Sequence, residues 1–330
     1  MTRATTWTSH ARFGRLFGVF SLAISLLAAS LPAMPLLGMT PRGMRGLSAQ
    51  QPPKAAQAVV VDTEGQETAL QQVEWSGNVR RLAWLADPNA ADEDGRRGPL
   101  ALVIREPHST TLTQGVLTFV PVRSLAAVEF DYDRQFVTYR IQGLQQALTG
   151  TLQYRGINTF TLAGLTAAGE KRTFSGGVRG GKMSAIRSVT FPQAQPLQRP
   201  REGLAWNVQI LQPTANDPLV PARNLKPLFA LAGGRERLRD ALPLRKAEPL
   251  PFGPQLLRWE MLAHDPNTHH AAAEVTLAGQ GERLVIIPLT LPEEGQTAQL
   301  LGLLGETDAG WKLFPLHTIR VITPSKRKIE

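Results

Sequence analysis

The stretch Gly115–Phe130, reading G-V-L-T-F-V-P-V-R-S-L-A-A-V-E-F, constrains the fold more than any other part of the chain. Val116, Phe119, Val120 and Val122 lie on either side of Pro121, a short polar step follows, and a second apolar run continues through Leu125, Val128 and Phe130. Proline fixes φ and donates no hydrogen bond, so it marks the end of a ladder rather than its middle. The pattern predicts a strand, a brief turn over 121–124, and a second strand that pairs elsewhere in a small β-barrel. It recurs. Leu313–Ile322 (L-F-P-L-H-T-I-R-V-I) sets Pro315 against Pro121, Thr318 against Ser124 and Ile319 against Leu125. Met183–Phe191 (M-S-A-I-R-S-V-T-F) repeats the second half without the proline. Similarities this short arise from a duplicated module or from shared strand chemistry, and the sequence leaves both open.

No helical periodicity of useful length follows residue 40, and a complement of Gly 29 and Pro 25 suits many short strands. The expected fold is all-β: two small β-barrel or β-sandwich domains carrying the recurring strand–Pro–strand unit, with an N-terminal signal segment outside the fold. The expected boundaries are a signal peptide at 1–30 (cut as late as 49), a linker at 31–57, a first β domain at 58–192, and a proline-rich linker at 193–203. A second β domain at 204–323 and a basic tail at 324–330 complete the chain. Phe136–Ile141 reads as an alternating strand, and Ser76-Gly77 as a bend within Val73–Leu85. A short helix is expected over 235–242, ended by Pro243. Leu256–Ala263 reads equally as a strand or a short helix.

Arg3, Arg12 and Arg15 precede an uncharged run from Leu16 to Met39, with small residues Ala28, Ala29 and Ser30 where a peptidase could cut. This is the layout of a secretory leader. An uncleaved membrane anchor is the alternative, weakened by Pro32 and Pro35. The formal charge of +9 owes five arginines to residues 1–50, and without them 31 bases face 27 acids. A balance so mild and so evenly spread excludes an electrostatic case for nucleic acid. The absence of cysteine excludes disulfides, zinc-thiolate sites and thiol nucleophiles.

Candidate chemistry is sparse. Gly176–Lys182 approaches a phosphate-binding loop, but Met183 stands where a hydroxyl is needed and a strand follows where a helix is needed. His264, Asp265, His269 and His270 are the only concentrated set of metal-capable side chains, around the turn signature Asp265-Pro266-Asn267-Thr268. Glu129, Asp131 and Asp133 offer oxygens without the glycine and distal glutamate of a calcium loop. No nucleophile elbow or triad spacing occurs, so no catalytic residue is assigned. Among the tryptophans, Trp75, Trp84 and Trp259 are candidates to stack on a sugar ring, with core anchoring as the competing role. No cofactor is expected.

The leader, the cysteine-free β-rich body and the strand–Pro–apolar–polar–[Ser/Thr]–apolar phrase resemble exported proteins of planctomycete-type bacteria built as runs of small barrels. That resemblance implies a bacterial envelope protein and brings no catalytic residue with it. The expected function is non-catalytic binding or a structural role in the periplasm or cell envelope, through loops 87–99, 107–114 and 264–270 held by rigid β domains. The expected partners are an envelope protein or polysaccharide, with no nucleic acid, and with a membrane only through an uncleaved leader. The alternative is a polysaccharide hydrolase with carboxylates drawn from several strands.

Overall fold

A computed structural model describes residues 56–85, 98–106, 115–152, 157–177, 185–198, 203–211, 219–293 and 295–325. The expected leader, nearly all of the linker to residue 57, most of loop 87–99, loop 107–114, the glycine-rich segment 178–184 and most of the basic tail lie outside them. The described residues fall in one unit, Gln51–Glu330.

The fold is all-β. In the first half the strands are β1 (Ala58–Asp62), β2 (Glu67–Gly77), β3 (Val79–Arg81), β4 (Leu100–Arg105), β5 (Leu117–Pro121), β6 (Leu125–Asp131), β7 (Phe136–Ile141), β8 (Leu148–Gly150), β9 (Thr159–Leu165), β10 (Lys171–Gly177) and β11 (Ile186–Thr190). In the second half they are β12 (Ala205–Ile210), β13 (Leu219–Ala230), β14 (Glu236–Leu238), β15 (Ala241–Leu242), β16 (Leu250–Pro251), β17 (Leu256–Asp265), β18 (His270–Leu277), β19 (Gly281–Pro288), β20 (Thr290–Glu293), β21 (Gln296–Thr307), β22 (Gly310–Phe314) and β23 (Ile319–Pro324). Alternation is direct: Val137, Tyr139 and Ile141 are buried, while Phe136 and Arg140 face out.

One five-stranded order appears twice, and a third run repeats it in circularly permuted form. The first unit runs β10-β9-β2-β1-β11 and the second β22-β21-β13-β12-β23, each antiparallel throughout. The third runs β5-β4-β8-β7-β6, where β4 and β8 meet only through the bridge between Arg105 and Thr151. The last strand of each unit carries a bulge after its first residue. Register slips past Ala126 in β6, Arg187 in β11 and Arg320 in β23. The central strands of the first two units, β2 and β13, also bend alike, at Gln72 (φ 50°) and Asn224 (φ 51°). Shared strand chemistry would not place a bulge at the same step three times. The recurrence is therefore a repeated module.

The strand–Pro–strand phrase is now explained. Pro121 is the last residue of β5 and Pro315 the first after β22, and each leads into a 3-10 turn, Val122–Ser124 and Leu316–Thr318. The Thr318 hydroxyl donates to the Pro315 carbonyl (2.7 Å), which closes that turn.

Of the two expected forms, barrel or sandwich, the sheets take the second: they are sandwich-like and do not close into barrels. Two features differ from expectation. Residues 235–242 are extended, not helical, because Phe229 and Arg237 pair across β13 and β14. Leu256–Ala263 is strand throughout. The expected division near residue 195 is crossed by hydrogen bonds: β22 pairs with β5, so β3, β4 and β5 continue the sheet of the second half. Within the proline-rich stretch, Ala194 and Leu197 pack on the first-half core and Gln195 N–H donates to the Arg123 carbonyl (2.7 Å).

Three cores result. Tyr139, Phe160, Leu125 and Val128 fill the first half, and Trp206, Trp259, Phe229 and Phe314 the second. Between them Leu117, Phe119, Leu313, Val103, Leu304 and Leu228 form a junction core around the β5–β22 pair.

Candidate functional site

Among the described residues a small hollow lies at the β6–β7 hairpin. Its turn is set by local chemistry: Asp131 Oδ1 accepts the Arg134 N–H (2.9 Å), and Gln135 takes a left-handed conformation (φ 59°) that returns the chain into Phe136, opposite Asp131. The hairpin carries three aromatic rings. Phe130 and Tyr132 lie nearly parallel, centroids 6.0 Å apart at 18°, and Phe130 also leans on Phe160 at 5.9 Å. Tyr132 is pinned, since its hydroxyl donates to the Ile186 carbonyl (2.6 Å) on β11. Burial pushes its phenol above the ordinary range, so it stays a neutral donor. Phe130 holds its place because position 176 is glycine. A Cβ there would stand 2.5 Å from its ring.

These restraints leave a hollow lined by Phe130, Asp131, Tyr132, Gln135, Phe136 and Gly177. Phe136 is 37% exposed, an apolar ring left in solvent beside an amide and a carboxylate. Val137 and Leu152 close the hollow's inner side, and its room is about 10 Å³, that of one water. The strand alternation carried a sign of the exposed ring: Phe136 shares the outward face of β7 with Thr138 and Arg140, a register that usually holds polar residues.

Of the residues singled out from sequence, Asp131 lies here, and the histidine cluster and the tryptophans lie elsewhere. His264 and Asp265 end β17 and His270 begins β18, with Asp265 Oδ1 accepting the Asn267 N–H (2.9 Å). His269 is left-handed (φ 55°), and His270 Nδ1 contacts the Thr268 carbonyl. Among the described residues no three His, Asp or Glu side chains gather to hold a metal. His264 instead meets His317 edge to face, centroids 5.3 Å apart, and burial lowers its pKa.

The tryptophans are anchors. Trp259 is fully buried. Trp75 stacks on Phe191 (4.9 Å) and meets Phe160 edge-on. Trp84 packs edge-on to Phe119, and its indole N–H donates to Glu236 Oε2 (2.9 Å).

Charged groups tie strands together. Glu236, its side chain 1% exposed, also takes Arg80 at 2.9 Å, and Glu293 takes both Arg237 (2.6 Å) and Arg239 (2.8 Å). The hydrogen bond from Arg239 lowers the Glu293 pKa most. Glu306 is the converse, its pKa raised by burial. It sits opposite Trp311 and faces the Asn224 amide (3.4 Å), Arg223 and Lys226.

The fold and site define an all-β protein of repeated five-stranded units with an aromatic hollow on one hairpin. No protein-family model, curated protein or solved structure matches the chain.

Proposed function

We propose that the protein is exported and acts as a non-catalytic binding component of a bacterial envelope. The observation that carries this reading is the exposed Phe136 beside Asp131 at the β6–β7 hairpin, on a frame in which Glu236 and Glu293 tie strands together. Binding surfaces gain affinity when their groups are ordered before the partner arrives, and hydrogen bonds from Tyr132 and the Asp131 turn supply that order. Export is supported by the arginines, uncharged run and small residues of 1–30. Among the described residues no helix is long and apolar enough to cross a membrane.

The test is a pull-down with the tagged mature protein against envelope polysaccharide and envelope protein, presented separately. Retention of one class supports the reading, and recovery of neither removes it. N-terminal sequencing of the protein from cells tests export, and an intact Met1 would reject a cleaved leader.

A further inference from the structure

The free edge of the larger sheet carries an inference that rests on the binding reading above and gives the chemistry of a protein partner. That edge is β19, whose ladder with β18 is regular from Gly281 to Pro288. Two bonds fix which residues point which way. Leu289 N–H donates to the His269 carbonyl beside β18, and the Ile286 carbonyl accepts from Arg245 N–H on the other side. Alternation then turns the backbone N–H and C=O of Glu282 and Leu284 away from β18, to an edge that no described strand pairs. Pro288 shares that parity, where a missing N–H takes nothing from the ladder.

The side chains here differ from those of a guarded edge. Leu284 is 64% exposed on the outer face. Arg283 shares the inward face with Val285 and Ile287, opposite Val275, and its buried Nε–H has no acceptor among the described residues. A buried donor left unmet is costly, and a carboxylate is the acceptor that suits a guanidinium best. A second copy does not supply one. Two-fold pairing through Glu282 and Leu284 sets Arg283 opposite its own copy, and the register one step away sets Glu282 opposite Glu282. We infer that β19 takes an extended segment of a partner protein as an added antiparallel strand, with an acidic residue inward on Arg283 and an apolar one outward beside Leu284.

The test is calorimetric titration of the mature protein with the end-blocked peptide T-T-L-E-L-T-T, with T-T-L-K-L-T-T, and with the first peptide N-methylated at both leucines. The glutamate peptide binds the parent about tenfold more tightly than the lysine peptide, since that exchange turns a charge pair into a repulsion. N-methylation removes the N–H groups that face β19 and abolishes binding. Arg283→Glu reverses the order of the two charged peptides, and Arg283→Gln brings them within about twofold. An unchanged Tm shows that each variant is folded. No binding of the glutamate peptide, equal binding of both charged peptides by the parent, or indifference to N-methylation overturns the proposal. So does a parent that is dimeric by light scattering and becomes monomeric in Leu284→Lys, which would give the edge to a second copy. If the pull-down retains envelope material equally with the parent and with Arg283→Glu, the edge inference falls while the binding reading stands.

Discussion

The same strand of the repeated unit meets two fates in this molecule. Leu162 pairs with both Trp75 and Phe174, and Leu303 with both Pro227 and Phe314, each three residues beyond the left-handed Gln72 or Asn224. That correspondence sets Phe174 of β10 on Phe314 of β22, and hence Lys171, Arg172 and Thr173 on Trp311, Lys312 and Leu313. In β22 this strand pairs with β5 about a local two-fold, with Thr118 opposite Lys312, each three residues before its proline. Glu106 accepts from both, Thr118 Oγ1 at 2.8 Å and Lys312 Nζ at 2.7 Å, which locks the register. Among the described residues β10 meets, beyond β9, only the single bridge of Ser175 to Ala185, and Lys171, Arg172 and Thr173 are exposed. The inward residue is Phe in both strands, so the unit's own core does not decide the matter. The outward row decides it. Trp311 and Leu313 meet Phe119 and Leu117 to build a third core, whereas Lys171 and Thr173 present charge and a hydroxyl that discourage another strand.

The largest effect follows from removing that row where it is buried. Phe119, 1% exposed, is predicted to cost about 3–5 kcal/mol when cut to alanine, since burial and a cavity both count. Urea unfolding followed by fluorescence measures it, and a loss below about 1 kcal/mol would deny the junction core its role. The reciprocal experiment gives β10 the row of β5. The double variant Lys171→Leu, Thr173→Phe is expected to self-associate at micromolar concentration, doubling its mass by light scattering. An unchanged mass relative to the parent would show that something else separates the two edges.

The smallest effect concerns pH, at the contact between β17 and the turn of the second phrase. Burial lowers the His264 pKa below its ordinary 6.5, so the fold favours the neutral ring. The unfolded chain then binds more protons, and this contribution is present above pH 6.5 and lost as pH falls through the folded value. A backbone hydrogen bond and the Asp265 carboxylate act against burial without reversing it. His264→Gln is predicted to flatten the Tm profile between pH 7.5 and pH 5 relative to the parent, as scanning calorimetry would record. A steeper profile in the variant would reverse the sign of the argument.

What the sequence disclosed follows the same division between local and distant causes. Proline and a hydroxyl at fixed spacing print a turn onto the chain, so both strand–Pro–strand phrases were legible, as was the bend at Gly77, whose φ of 84° only glycine adopts easily. The tryptophans were legible as anchors because little else buries so much apolar surface. The β5–β22 pair joins residues 190 and more apart in sequence, and such pairing leaves no local mark. For the same reason Pro192–Pro200 read as a linker, although Leu197 serves the core. The segment 235–242 read as a helix because its charged residues hide a strand whose ladder partner is the distant β13. The hollow was missed because Phe130, Tyr132 and Phe136 look like strand interior until the turn shows which ring faces solvent.

The central claim is that three copies of one unit are joined edge to edge into a single cooperative body. Native-state hydrogen exchange on the mature chain tests it most directly. The account predicts that amides paired across Leu117–Phe119 and Trp311–Leu313 exchange only with global unfolding, at the same free energy as those of Val60 and Val208 in the centres of the two halves. If the junction amides exchange at much lower free energy while the two halves keep separate, unequal values, the molecule is two domains in contact and the account is contradicted.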